Sequence, residues 1–247
     1  MRRLILLLFV FSTFVNAKIS RVDIYTYHYM PPYIINLKER SGLYFDFVDL
    51  LNQMNSGYTF NLIYMPRKRL DYRLEQNKLD GIVIGVNPKW FKDASQTRFL
   101  WSPSIMQDKD VFVSLRQNPI EVHKFIDLRG KRVGGIRGFR YIGIDELATQ
   151  QIIERVDTQT ESQLFDMLKK ERIDTAILSI YTFYYLSENN SSDYYIASKQ
   201  HDAFSRHFLI PKSDNKMLHV TLSNILNSEE FTKHWNQRLV NYSMPIH

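Results

Sequence analysis

Apolar and polar residues alternate through KISRVDIYTY (18–27), which predicts a first strand. The period then changes. In YFDFVDLLNQM the apolar positions Tyr44, Phe47, Val48 and Leu51 recur at helical spacing, and Asn55-Ser56-Gly57 stops that helix. YTFNLIYM (58–65) reads as a second strand. One phrase then occurs twice. RLDYRLEQNKLDGIVIG carries Leu70, Leu74 and Leu79-Asp80, and QLFDMLKKERIDTAILS carries Leu164, Leu168 and Ile173-Asp174 at identical internal spacing. Each copy predicts an amphipathic helix, a charged turn and a buried strand. The copies lie about 90 residues apart, too far for a solenoid and right for one small lobe each. Two similar lobes imply a cleft, where small ligands bind.

Between and after the copies, DVFVSL (110–115), KRVGGIRG (131–138), DYYIAS (193–198) and RHFLIP (206–211) read as strands. IDELATQQI, MLHVTLSNIL and SEEFTKHWNQRLVNY read as helices. The alternation predicts an α/β fold with two parallel-type sheets. The chain builds one lobe, makes an excursion into a second and returns. Its two crossings, near 105–112 and 202–209, would act as a hinge.

Composition adds an address. Arg2-Arg3, the apolar run LILLLFVFSTFV and the small-residue site Val15-Asn16-Ala17 have the form of a secretory signal peptide cleaved after Ala17. An uncleaved anchor is the alternative, disfavoured by the short apolar core. The expected organisation is a signal peptide at 1–17, a first lobe at 18–108, a second at 109–205, and a return with C-terminal helices at 206–247. The chain has no cysteine, so lipid attachment through an N-terminal cysteine is excluded and the fold relies on its core. A periplasmic, untethered monomer is the expectation. The formal net charge of +6 is spread along the chain and does not indicate nucleic-acid binding.

An ordered set of short motifs carries a family resemblance. Pro31-Pro32-Tyr33, Gly42-x-Tyr44-Phe45-Asp46, Leu79-Asp80-Gly81-Ile82, Trp101-Ser102, Asp127-Leu128-Arg129-Gly130-Lys131-Arg132-Val133-Gly134 and Arg172-Ile173-Asp174 follow one another along the chain. In this order it resembles bacterial extracellular solute-binding protein family 3, the polar-amino-acid receptors of ABC importers. The resemblance implies a two-lobed type II periplasmic binding fold, its lobes joined by two crossing hinge strands and closing on ligand. It also implies an arginine on the loop after the first-lobe repeat strand, to hold a ligand carboxylate, and an acid five residues after Asp174, to hold an ammonium. Here Lys92 or Ser95 stands at the first place and Ser179 at the second. Arg98 is the nearest substitute for the arginine.

The candidate ligand residues each have an ordinary alternative. Tyr29 and Tyr33 follow the first strand, as a cleft wall or as packed aromatics. Arg67 and Arg69 precede the first repeat helix, as a carboxylate clamp or as surface charges. Asn87 and Trp90 follow the first repeat strand, where loops of a parallel sheet face a cleft. Gly138, Arg140 and Tyr141 sit at a strand-to-helix turn whose free N–H groups favour an anion, or form a plain tight turn. Ser179 and Tyr181 follow the second repeat strand. Asp202 and Arg206, near the return crossing, could form a solvated ion pair. The seven histidines show no metal-ligand spacing, and no nucleophile motif is present, so neither a metal nor a cofactor is expected. The function expected is capture of a small polar solute, anionic or aromatic, for an ABC importer. The alternatives are a ligand-sensing partner of a membrane sensor and a small-acid dehydratase on the same fold.

Overall fold

The computed structural model describes residues 19–242 except 55, 189, 213 and 214. The segment read as a signal peptide lies outside the described residues. Strand β1 (Ser20–Thr26) leads to helix α1 (Leu43–Gln53), which buries Leu43, Phe47, Val48 and Leu51. Strand β2 (Tyr58–Tyr64), helix α2 (Arg67–Glu75) and strand β3 (Ile82–Val86) follow. β1 lies between β2 and β3, parallel to both. After a single-turn 3-10 segment (Pro88–Phe91) come β4 (Leu100–Trp101) and β5 (Met106–Leu115). The second half holds β6 (Arg132–Ile136), α3 (Ile144–Thr149), β7 (Glu154–Thr158), α4 (Glu161–Lys169), β8 (Thr175–Ser179) and α5 (Ile180–Ser187). The long strand β9 (Tyr194–Ile210) returns the chain to helices α6 (Lys216–Leu226) and α7 (Glu229–Asn241).

The doubled phrase folds as the doubled unit α2–β3 and α4–β8. Leu70, Leu74, Leu164 and Leu168 are all buried, and both following strands are buried along their length. The two turns differ in chemistry. Asp174 accepts the Arg132 backbone N–H (2.7 Å) and pairs with its guanidinium (2.6 Å), tying the second copy to β6.

The strands form one curled sheet of order β2-β1-β3-β9-β5-β8-β6-β7, with β4 on β9. The two expected parallel-type sheets, joined by two crossing strands, are the wings of this curled sheet. Parallel pairs make the two wings, but β9 and β5 run antiparallel between them and join them. The departure lies in β9, one continuous strand where the sequence reads as two. The polar stretch Ser198–Asp202 interrupts its apolar pattern, so the sequence reads as two strands with a loop. In the folded chain Ser198 and Gln200 simply stay exposed, and the β5 ladder continues past them with a register shift at Asp110/Val111. α5 is a second departure. Its aromatic and β-branched IYTFYYLS has poor helix propensity, yet burial of Ile180, Tyr181 and Phe183 holds it. Arg67 and Arg69 lie inside α2 rather than ahead of it.

One apolar cluster spans both wings, from Ile24 and Phe47 to Leu164 and Phe183. Phe139, on the loop after β6, packs against this cluster and against both smaller ones, so the two lobes touch through it.

Candidate functional site

The crossing strands β5 and β9 pair with Asp108 opposite Phe204 and Asp110 opposite Asp202. Side chains alternate between the faces of a strand. One face of this ribbon therefore carries Asp108, Asp110, Asp202, Phe204 and Arg206. The other carries Gln107, Lys109, Ala203 and Ser205.

On the first face, Arg206 is 1% exposed and Asp108 5%. The Arg206 guanidinium donates to Asp108 Oδ2 through Nε (2.9 Å) and Nη2 (2.6 Å), and to the Gly85 carbonyl through Nη1 (2.8 Å). The rings of Tyr33 and Phe204 lie 4.5 and 5.1 Å from it. Asp108 also accepts the hydroxyls of Tyr33 (2.5 Å) and Ser179 (3.0 Å). Tyr33 and Gly85 belong to the first lobe and Ser179 to the second, so one carboxylate ties the lobes together. Thr182 on α5 adds a tie to the Pro31 carbonyl (2.8 Å). Burial pushes the Tyr33 phenol well up and keeps it a donor. It pushes His28, 3.4 Å from Arg206, well below the usual imidazole range and keeps it neutral. The Gly85 backbone has φ +78°, and a Cβ there would meet the Tyr44 hydroxyl at 1.8 Å, so only glycine presents this carbonyl.

Further along the same face the acids outweigh the Arg206 charge. Burial, with the Asp108 carboxylate next in weight, pushes Asp110 up to about 7. Glu161, buried at the start of α4, is likewise pushed up to about 7 by burial. Like charges directly opposite in a ladder, as at Asp110 and Asp202, are unfavourable.

On the other face lies an opening of about 670 Å³. Asn87 and Lys89 line it from the first lobe, Ile180, Tyr181 and Tyr184 from the second, and Gln107, Lys109, Ala203 and Ser205 from this face of the ribbon, while Asp108 and Phe204 of the first face also line it. Asn87 is fixed there by donating to the Ser205 carbonyl (2.9 Å) and accepting the Lys89 N–H (3.0 Å). The Tyr181 hydroxyl donates to the Gln107 carbonyl (3.0 Å). Lys89 and Lys109 are exposed, and among the described residues neither enters an ion pair.

The structure thus brings Tyr33 and Ser179 together on one face of the ribbon and Asn87 and Tyr181 on the other. Trp90 stands edge-on to Phe204 (4.7 Å). Others serve elsewhere. Arg67 is a fastener: it pairs with Asp71 (2.7 Å), donates to the Tyr27 hydroxyl and the Trp90 carbonyl, and stacks on Phe91. Arg69 is exposed, and Tyr29 is exposed against Tyr64. Gly138 and Arg140 are exposed, while Tyr141 is a core residue whose hydroxyl accepts the Ile136 N–H (3.1 Å). The anion site expected at this turn is taken by the chain's own acids: Asp145 accepts the Tyr141 N–H and Glu146 the Gly143 N–H. On the loop after β3, Arg98 is anchored on the Phe91 carbonyl (3.2 Å) and Lys92 is exposed.

Asp108, Lys89, Lys109 and Tyr184 escaped the sequence reading, and Arg206 entered it as a solvated charge. A signal for the buried pair was present. Arg206 occupies the apolar register of Phe204 and Phe208, and Asp108 that of Met106 and Phe112. A charge on the buried side of a strand implies a buried partner.

Solved structures share this architecture. An ancestral arginine-binding protein bound to arginine superposes with a TM-score of 0.71 at 16% identity, over 90% of this chain and 98% of that one. The ligand-binding core of GluR0 from Nostoc punctiforme, in complex with L-glutamate, gives 0.69 at 14% identity, over 91% and 100%. A histidine kinase sensor domain with similarity to periplasmic binding proteins gives 0.70 at 16% identity, over 92% and 97%. The fold is that of the two-lobed periplasmic binding proteins. No protein-family model and no curated protein matches the chain.

Proposed function

We propose that this chain is a periplasmic receptor of the extracellular solute-binding type, exported by its N-terminal segment and acting without turnover. Its lobes are 18–108 with 206–247, and 109–205. The solute is small and anionic, with an aromatic or planar body. One observation carries the reading: Lys89 and Lys109 stand beside Tyr181, Tyr184 and Phe204 around a single opening between the lobes, where the one acid of the lining, Asp108, is already paired with Arg206. Its volume suits a small ligand, for which pockets of about 300–1,000 Å³ are usual. Ammonium groups attract the charge, and ring faces cover the body. Because the walls belong to different lobes, a solute touching both favours closure.

A thermal-shift screen of aromatic carboxylates, dicarboxylates and amino acids, followed by calorimetry, tests this. An aromatic carboxylate should raise the Tm of the wild type and fail to do so for K89Q/K109Q. Stabilisation by basic amino acids alone would overturn it. The natural partner in the proposal is an ABC importer permease. The likeness to a histidine kinase sensor domain supports a second reading, a partner of a membrane sensor. Capture from envelope extracts with solute present separates them: a permease in one case, a sensor kinase in the other.

A further inference from the structure

The Arg206 environment has every component of a guanidinium-binding site. A carboxylate takes two of its N–H groups, a glycine carbonyl takes a third, and the rings of Tyr33, Phe204 and Trp90 lie 4.5, 5.1 and 5.6 Å from its carbon. Charge-assisted bonds to a carboxylate and aromatic faces are how proteins bind a free guanidinium. The components come from three separate stretches of the first lobe, Tyr33, Gly85 and Trp90, and from both crossing strands, Asp108 and Phe204, as a ligand's contacts would. Strand formation does not ask for arginine here, because the neighbouring positions of this face, Phe204 and Phe208, are apolar. Stability does not ask for it either: a buried ion pair is often no better than an apolar pair of similar volume.

We propose that Arg206 is an internal ligand, filling a guanidinium site between the lobes and so excluding guanidinium- and amine-bearing solutes from this receptor. The exclusion rests on the receptor reading above; the occupancy does not. Removing the side chain should therefore create a receptor site for the piece removed.

R206A tests this, because the group it loses, beyond the Cβ that alanine keeps, is ethylguanidinium. Folded R206A should gain about 3–6 °C in Tm at a tenfold excess of ethylguanidinium over its Kd, as one-site linkage requires for a chain of this size. The wild type at equal ionic strength should not shift. R206A/D108N, which lacks the carboxylate, should lose the response. Agmatine, which carries both cationic groups, should bind R206A at least about tenfold more tightly than wild type by calorimetry. If R206A is unfolded alone, ethylguanidinium should restore its circular-dichroism signal where sodium chloride does not. A variant that responds no more than wild type, folded or refolding, overturns the proposal. The two readings fail separately. Guanidinium uptake by R206A with no solute for the wild type sinks the receptor, and the reverse result sinks the internal ligand.

Discussion

The two faces of the β5–β9 ribbon lie one peptide apart and have opposite chemistry. On one, Asp108 and Arg206 are buried, and Asp108 accepts from Tyr33, Ser179 and Arg206. On the other, Lys89 and Lys109 are exposed around an opening that the chain leaves unfilled. The Asp108–Arg206 pair of the first face is buried, so its interactions are strong and costly to break. The second is wet, so its charges contribute little to the fold and remain available to a solute. Alternation along two strands sets the buried pair apart from the exposed lysines, with Asp108 and Phe204 at the border between floor and opening.

The largest test strikes the buried pair of the first face. D108A leaves the Arg206 guanidinium buried without its carboxylate, and removes the acceptor of Tyr33 and Ser179. The expected loss is about 3–5 kcal/mol in urea unfolding, at an unchanged denaturant slope. D108L/R206M, which removes both charges, should recover most of that loss. Y33F removes one hydrogen bond to a charged group and should cost about 1.5–3 kcal/mol. A D108A loss near zero would mean that water reaches this face and that the two faces do not differ.

The wings of the fold were legible because short apolar repeats set them. Leu70/Leu74 with Ile82–Val86, and Leu164/Leu168 with Thr175–Ser179, announce the same helix–strand unit twice. What joins the wings was not legible. β9 crosses the polar Ser198–Asp202 by pairing with β5, and α5 is held by tertiary burial against its own propensity. The site was read unevenly for a similar reason. Residues at strand ends, such as Asn87 and Ser179, follow from topology. Partners such as Asp108 and Arg206 depend on pairing across 98 residues of chain, and Tyr141 points inward because Gly135 leaves room for its ring.

An intermediate test uses pH. The unfolded chain releases protons from Asp110 and Glu161 near their ordinary values of 3.8 and 4.5, whereas the folded chain holds them to about 7. Their contribution is thus fully present below about pH 4 and is lost as pH rises through 7. Neutral, buried His28 acts in the opposite sense, losing stability as pH falls below its ordinary 6.5. The difference between wild type and D110N isolates Asp110. Wild type should lose on the order of 2 kcal/mol relative to D110N between pH 4.5 and 8, allowing for partial exposure of the carboxyl. Parallel pH profiles would show that Asp110 is solvated and that the buried stretch of the first face ends at Asp108.

The smallest effect on the fold belongs to the wet face. Lys89 and Lys109 make no ion pair among the described residues, so K89Q/K109Q should leave unfolding free energy within about 0.5 kcal/mol of wild type. The same double substitution should weaken an anionic solute at least about tenfold, with a salt dependence that the wild type shows and the variant lacks. Stability and binding would then separate along the ribbon: Asp108 moves the first, the lysines the second. A stability loss comparable to that of Y33F would place the lysines in the fold, and the contrast between the faces would collapse.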